Sequence, residues 1–308
     1  MNNHTILVVC GPTASGKTAL AVTLAQRYNG EIISADSRQV YRGLDIGSGK
    51  DLHEYRAAAK VIPHHLIDII SPEETYTVSH YQKGFYRIFK QIRSRGACAL
   101  LCGGSGLYIE AVLRGYRIPE VPENSALRSQ LSTEPVEQLI KQLETLDPQR
   151  LKQTDTSSKK RIIRAIEIAS APPSLCPDDT GKALSGLSPV ILCTRWDRTD
   201  LHRRITERLY RRFDEGMIGE VFRLRRGGLS DERLLMMGME YRHITRYLRG
   251  ELQLQTMIET LQHEIFRLAK RQESYFRGME RRSSIPVHWI DNADTATAIA
   301  VADEFFSR

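Results

Sequence analysis

The stretch Gly11-Pro12-Thr13-Ala14-Ser15-Gly16-Lys17-Thr18 follows the apolar run Ile6 to Cys10 and matches the spacing GxxxxGK[ST]. Each residue type has a task in holding phosphate. Glycines let backbone N–H groups turn inward onto anionic oxygens, Lys17 adds a point charge, and Thr18 offers a hydroxyl to Mg²⁺. The helix predicted from Lys17 to Tyr28 directs its positive end at the same anion. Gly11 to Thr18 are therefore candidate diphosphate or nucleotide ligands. The loop alone does not say whether the phosphate is transferred, hydrolysed or discarded as a leaving group.

Two further strand ends supply reactive groups. Asp36 closes the run Glu31-Ile32-Ile33-Ser34-Ala35-Asp36, where a carboxylate can take a proton from a nucleophile, reach a metal through water, or cap the segment Ser37 to Tyr41. Ser37, Arg38 and Gln39 add donors and acceptors beside it. A glycine turn, Gly103-Gly104-Ser105-Gly106, ends another apolar run and offers the Ser105 hydroxyl. An NTPase or kinase would carry a magnesium-binding Asp at such a strand end. Glycines stand there instead, and Asp68 in Leu66-Ile67-Asp68 is the weaker substitute.

These groups need a scaffold that gathers strand ends. Strand-like runs at Ile6 to Cys10, Glu31 to Ala35, His65 to Ile70 and Ala97 to Cys102 alternate with helix-length segments, which predicts an α/β fold with a P-loop NTPase-like parallel sheet flanked by helices. Ligands then sit outside the carboxyl ends of the strands, so Asp36 and the phosphate loop become neighbours. Runs at Pro189 to Trp196 and Val287 to Ile290 extend the sheet. A polar helical stretch from Pro119 to about Ala171, with a Pro, Gly and Ser-rich return to Pro189, reads as a helical insertion lobe. The expected division is a core of 1–115 plus about 189–308 and an insertion of about 116–188. Leu201, Ile205, Leu209, Phe213, Met217 and Val221 recur every four residues as a buried stripe, with Arg204, Arg208 and Arg211 on other faces.

The chain has 308 residues, 41% hydrophobic content and a net charge of +7. Between Arg195 and Arg282 lie 20 of the 44 basic side chains, 19 of them arginine, against 14 acids. Such an arginine-rich, helical C-terminal region suits phosphate and stacked bases, or equally a salt-bridged solvated face. The five cysteines show no metal-ligand spacing, and Cys10, Cys102 and Cys193 read as buried strand-end residues, with Cys98 and Cys176 elsewhere. No apolar run reaches the length of a membrane helix and no basic leader precedes the first strand, so a cytoplasmic protein without a membrane partner is expected.

Taken together, GPTASGKT (11–18), IISADSRQVYRGLDIGSGK (32–50), HHLIDI (64–69), GGSGLY (103–108), KRIIRAIEI (160–168), LHRRITERL (201–209), GMIGEV (216–221) and LAKRQESYFR (268–277) resemble, in order, the tRNA dimethylallyltransferases, also called tRNA isopentenyltransferases. The resemblance implies transfer of a dimethylallyl group from dimethylallyl diphosphate to N6 of an adenine beside the anticodon, usually position 37 of tRNA. It implies that Thr13 to Thr18 bind the diphosphate with Mg²⁺ on Thr18, and that Asp36 deprotonates the amine. Ser105 would position the base, and Arg208 would stabilise the leaving group beside Lys17. Asp36 to Gln39, Lys160-Arg161-Ile162-Ile163-Arg164 and Lys270-Arg271-Gln272 would contact the tRNA anticodon loop. A monomer is expected.

Departures from the pattern are Ser105 for Thr, Met237-Gly238-Met239-Glu240-Tyr241-Arg242 for a Gly-Tyr-Lys-Glu-like segment, and Tyr275 for Trp. The zinc finger of eukaryotic members has no counterpart, as in a bacterial-type enzyme. Rival readings are an adenylate isopentenyltransferase acting on AMP, ADP or ATP, a P-loop nucleotide or small-molecule kinase, and a noncatalytic RNA-binding P-loop protein.

Overall fold

A computed structural model describes residues 4–57, 60–172, 175, 186–282 and 285–306. It divides into two units, residues 1–115 with 183–308 and residues 116–182.

The first unit is built on the strands β1 (Thr5–Cys10), β2 (Gly30–Ser34), the short pair β3 (Arg56–Ala57) and β4 (Lys60–Val61), β5 (His64–His65), β6 (Cys98–Gly103), β7 (Ser188–Arg195) and β8 (Val287–Asp291). Six of them form one sheet in the order β5-β2-β6-β1-β7-β8, and every pairing in it is parallel. β1 and β6 are buried throughout, which explains their unbroken apolar sequences: helices cover both faces of a parallel sheet. Ile6, Val8 and Cys10 join a cluster with Phe85, Phe89 and Ile109, whereas Leu7 and Val9 join Leu20, Leu24 and Ala298 on the opposite face.

The covering helices are α1 (Lys17–Arg27), α2 (Val78–Ser94), α3 (Gly106–Leu113) and, at the far end of the chain, α13 (Thr295–Phe306). α2 starts at a reciprocal cap in which Thr77 accepts from His80 N–H and His80 Nδ1 from Thr77 N–H. Its buried face, Tyr81, Phe85, Phe89 and Ile92, repeats at helical spacing. The second unit consists of α4 (Ser125–Thr133), α5 (Val136–Leu146), α6 (Pro148–Gln153) and α7 (Lys159–Ala169), packed around Leu131, Leu139, Leu143, Ile162 and Ile166. The first unit continues with α8 (Arg198–Asp214), α9 (Met217–Arg226), α10 (Asp231–Met236), α11 (Met239–Leu248) and α12 (Leu254–Arg282), which share their own core. Among the described residues no helix is long and apolar enough to cross a membrane.

Two expectations change. The predicted strand His65 to Ile70 shrinks to His64–His65, because Leu66 and Asp68 adopt left-handed backbone at φ 61° and 54° and break the ladder; Ile70 only bridges Tyr41. The stripe from Leu201 to Val221 is buried, with Phe213 partly so, but lies on two helices separated by Gly216 at φ 96°. A four-residue repeat drifts around one straight helix, and the turn at Gly216 restores Met217 and Val221 to the core. Cys10, Cys98, Cys102 and Cys193 are free and buried, while Cys176 and most of the Pro, Gly and Ser-rich return lie outside the described residues.

Candidate active site

The strand order changes direction at β1, and its carboxyl end is where the phosphate loop emerges. Gly11 at φ 140° lets the chain pass Thr194 of β7: a Cβ on Gly11 would collide with the Thr194 hydroxyl and backbone. Ala14 at φ 61° and Gly16 at φ 83° complete the curl before α1 begins at Lys17.

Several side chains hold the loop, Lys17 from within it and the others from outside. Trp196 Nε1 donates to Ser15 O at 3.0 Å, Arg204 Nε to Ala14 O at 2.9 Å, and Lys17 Nζ to Pro12 O at 2.5 Å. The Ser15 and Thr194 hydroxyls meet at 2.6 Å. Arg208 Nη2 donates to Thr13 Oγ1, while Thr13 N–H donates to Gln272 Oε1 at 2.8 Å. Tying three carbonyls leaves the loop's curvature set before any ligand arrives, which lowers the ordering cost of binding.

The loop forms one wall of a cleft of about 800 Å³, with Asp36, Ser37, Arg38 and Gln39 after β2, and Gly103, Gly104 and Ser105 after β6. Asp36 Oδ1 accepts from Arg38 N–H at 2.8 Å, so the carboxylate caps the turn and faces the cleft at once. Ser105 Oγ accepts from Ser37 N–H at 3.2 Å, so its own proton remains to donate to a ligand.

The cleft is charged. Among the described residues its lining includes eight Lys or Arg side chains and six Asp or Glu. Burial pushes Arg208 down to about 9, helped by Arg212 one turn away, so Arg208 stays cationic at neutral pH. Lys17 is lowered by burial and by Arg208. Burial raises the Cys102 thiol to about 12, so the cleft floor holds a neutral thiol and no thiolate nucleophile. Glu240 and Glu54 are raised, each chiefly by burial.

Among the described residues no cluster of three His, Cys, Asp or Glu is arranged to hold a metal. Thr18 and Asp36 do line the cleft, a hard-oxygen pair that fits Mg²⁺, which takes one or two protein oxygens and completes its shell with water and phosphate.

Most of the residues singled out from the sequence converge here: Gly16 to Thr18, Asp36 to Gln39, Ser105, Arg208, Arg271 and Gln272. Some take other roles. Gln272 spends both ends of its amide, donating to Gly104 O at 3.0 Å as well as accepting from Thr13, so it braces the two walls of the cleft. Lys270 is exposed but outside the lining. Ile162 and Ile163 are core residues of the second unit, because α7 turns its apolar face inward, and cannot present side chains to RNA. Arg164 is tied to Glu167 and to Val121 O at 2.8 Å; Lys160 and Arg161 are the exposed cations of that segment, Arg161 paired with Asp155. Asp68 pairs with buried Lys50 outside the cleft lining and is no metal-site substitute. Tyr275 bonds Glu110 Oε2 at 2.5 Å and packs against Gly106, an anchor for α12 and not a cleft residue.

Sequence reasoning passed over Arg212, Glu240, Thr194 and Trp196. The signal for Arg212 was present: Arg204, Arg208 and Arg212 recur every four residues and share a helix face. Glu240 lay in the segment Met237 to Arg242, whose departure from the family pattern hid its place in the cleft.

Comparison with known proteins agrees with this geometry. The family model described as IPP transferase matches residues 39–282, and one described as isopentenyl transferase matches residues 4–61. The tRNA dimethylallyltransferase 2 of Trichlorobacter lovleyi is 47% identical over 293 residues, 95% of this chain and 94% of that protein. The tRNA dimethylallyltransferase 1 of Geotalea daltonii is 47% identical over 298 residues, 96% and 94% of the two chains. The crystal structure of a tRNA isopentenylpyrophosphate transferase from Bacillus halodurans superposes with a TM-score of 0.68 at 31% identity, covering 99% of this chain and 96% of that one. The phosphate loop, the carboxylate beside it and these matches along nearly the whole chain make it a member of the IPP transferase family, the tRNA dimethylallyltransferases.

Proposed function

We propose that this chain transfers a dimethylallyl group from dimethylallyl diphosphate to N6 of adenosine 37 in a tRNA anticodon loop, releasing diphosphate. The observation that carries the reading is the shared cleft: Asp36 lines the same cavity as a phosphate loop whose Thr13 is held by Arg208. A base thus stands beside a leaving-group site. The N6 amine is a weak nucleophile because its lone pair is delocalised into the ring. Asp36 takes its proton as the new C–N bond forms, while the C–O bond to diphosphate breaks and its electron pair leaves with the oxygen. Lys17 and Arg208 meet the developing negative charge with donors already in place. Mg²⁺, when bound at Thr18, would neutralise diphosphate oxygens as a Lewis acid. Ser105 orients the base. An unstacked loop base drawn into the cleft suits the reaction, since N6 is unreachable within a stack.

The lining arginines also fit a free adenylate, and the isopentenyl transferase match at residues 4–61 keeps that second reading in view. Incubation with Mg²⁺, dimethylallyl diphosphate and either unmodified tRNA or AMP, followed by nucleoside mass analysis, separates them. Prenylated tRNA is expected; prenylated AMP with untouched tRNA would overturn the reading. Asp36→Asn is expected to lose about 10²- to 10⁴-fold in rate with diphosphate binding retained, the usual range for a general base. The same reading takes the chain to act as a monomer in the cytoplasm; sedimentation of the purified protein tests the former.

A further inference from the structure

Glu240 sits in the first turn of α11, two residues after Gly238. It lines the cleft together with Thr13, Arg208 and Arg212. The same four residues also line a small void behind the cleft, against Ile205, Leu209 and Met217, so they are neighbours on both sides. A Cβ built on Gly238 would lie 3.6 Å from Glu240 Oε2 and 3.6 Å from Arg38 Nε, which places the carboxylate close to the turn after β2 as well. Among the described residues no hydrogen bond or ion pair ties the Glu240 carboxylate to another side chain, although Arg212 Nη2 reaches Asp51 Oδ2 at 3.4 Å. Its charge therefore acts on the two arginines, and on whatever they hold, through the field of the cleft.

We propose that Glu240 is an internal counter-anion of the leaving-group arginines, placed so that it weakens the grip on released diphosphate more than the grip on the donor. This rests on the prenyl-transfer reading above. Arg208 and Arg212 are one turn apart on α8 and repel each other; Asp51, which reaches Arg212, and then Glu240 offset that repulsion. Burial raises Glu240; a hydrogen bond from its own backbone N–H, then Arg212 and Arg208, oppose that rise in part, and Asp36 adds to it. Once the C–O bond has broken, the free diphosphate carries one more negative charge than it did as an ester. A fixed carboxylate therefore penalises product more than donor, and the grip that stabilises bond breaking does not become a trap for the product.

The test uses the full chain and inorganic diphosphate as the probe, with Mg²⁺, by calorimetry. Glu240→Gln keeps the shape and removes the charge. It is expected to bind diphosphate about tenfold more tightly, the size of a unit-charge interaction across a cleft, and to bind a non-reacting dimethylallyl thiolodiphosphate with a smaller gain. Steady-state prenylation should slow relative to the first turnover. Glu240→Asp, which keeps the charge, should resemble the wild type. Equal or weaker diphosphate binding by a folded Glu240→Gln variant, checked by its melting curve, overturns the proposal; so does tightening by Glu240→Asp as large as that by Glu240→Gln. Wild-type protein that binds no diphosphate sinks the prenyl-transfer reading and this inference with it. Wild-type prenylation of tRNA without tightening in Glu240→Gln sinks this inference alone.

Discussion

Thr13 is held at two points, its amide by Gln272 and its hydroxyl by Arg208, and this makes the phosphate loop part of a circuit that runs from α8 to α12. Removing Arg208 costs a cation and frees the Thr13 hydroxyl. Arg208→Gln is expected to lower kcat by about 10²- to 10³-fold, comparable with loss of one donor to a developing oxyanion. Its affinity for tRNA should stay near normal, as single-turnover rates and filter binding would show. Lys17 was readable as a phosphate cation from its motif, and Asp36 from its strand end. The cap made by Asp36 was one of the readings its position allowed; the bracing by Gln272 and the entry of Glu240 were not readable, because each depends on partners far away in the chain or on the exact path of a turn.

At the scale of elements, two carboxylates act as organising points. Glu220 on α9 accepts from the N–H groups of Asp45, Ile46 and Gly47 and from the Tyr241 hydroxyl at 2.7 to 3.1 Å, holding the loop that presents Gly49 and Asp51 to the cleft. Glu167 is buried in the second unit. Its desolvation is outweighed by Arg128, the Asn124 N–H and Arg164, which together keep its carboxyl below the ordinary range. Because the folded value is depressed, its stabilisation is complete above the ordinary carboxylate range and is lost as pH falls through the folded value. Glu167→Gln should destabilise residues 116–182 at neutral pH by about 2 to 3 kcal/mol, the cost of taking the charge of a buried carboxylate away from two half-buried arginines, and should flatten the acid limb of their unfolding curve. Hydrogen exchange on that unit measures both.

The same scale separates bracing from binding on α12. Gln272→Leu should weaken diphosphate binding, because the two cleft walls lose their tie. Lys270→Ala and Arg271→Ala should weaken tRNA binding and leave diphosphate binding nearly unchanged. Calorimetry with diphosphate and tRNA titrations at two salt concentrations distinguish the two classes. The helical and basic character of this C-terminal region was legible in the sequence, but the bounds of the helix were not. That Gln272 turns inward while Lys270 points away follows from a rotation of about 200° between them, which matters only once the helix is docked.

For the whole molecule, the arginine-rich region combines both meanings its composition allowed. Arg225 is bound to Asp231, Arg242 to Glu264 and Arg277 to Glu273, so part of the basic excess is internal structure. Arg204, Arg208, Arg211, Arg212 and Arg271 line the cleft, as does Arg242 together with its partner Glu264. Neutralising Lys270 and Arg271 together should reduce the salt slope of tRNA binding by up to about two, one for each RNA phosphate that no longer meets a cation. Neutralising Arg225 should alter stability and leave the slope unchanged.

By itself the sequence determined the phosphate loop, the parallel sheet and the carboxylate that stands beside the loop, because these rest on local spacing and on alternation of apolar runs. It also carried the family resemblance that the comparisons bear out. The tertiary structure alone decided where His65 to Ile70 leaves the sheet, which residues of KRIIR face solvent, and which arginines enter the cleft. Those outcomes depend on left-handed turns, on the docking of one helix against another, and on carboxylates brought together from distant parts of the chain. Local sequence fixes the chemistry a residue is able to perform; packing selects the direction in which it performs it.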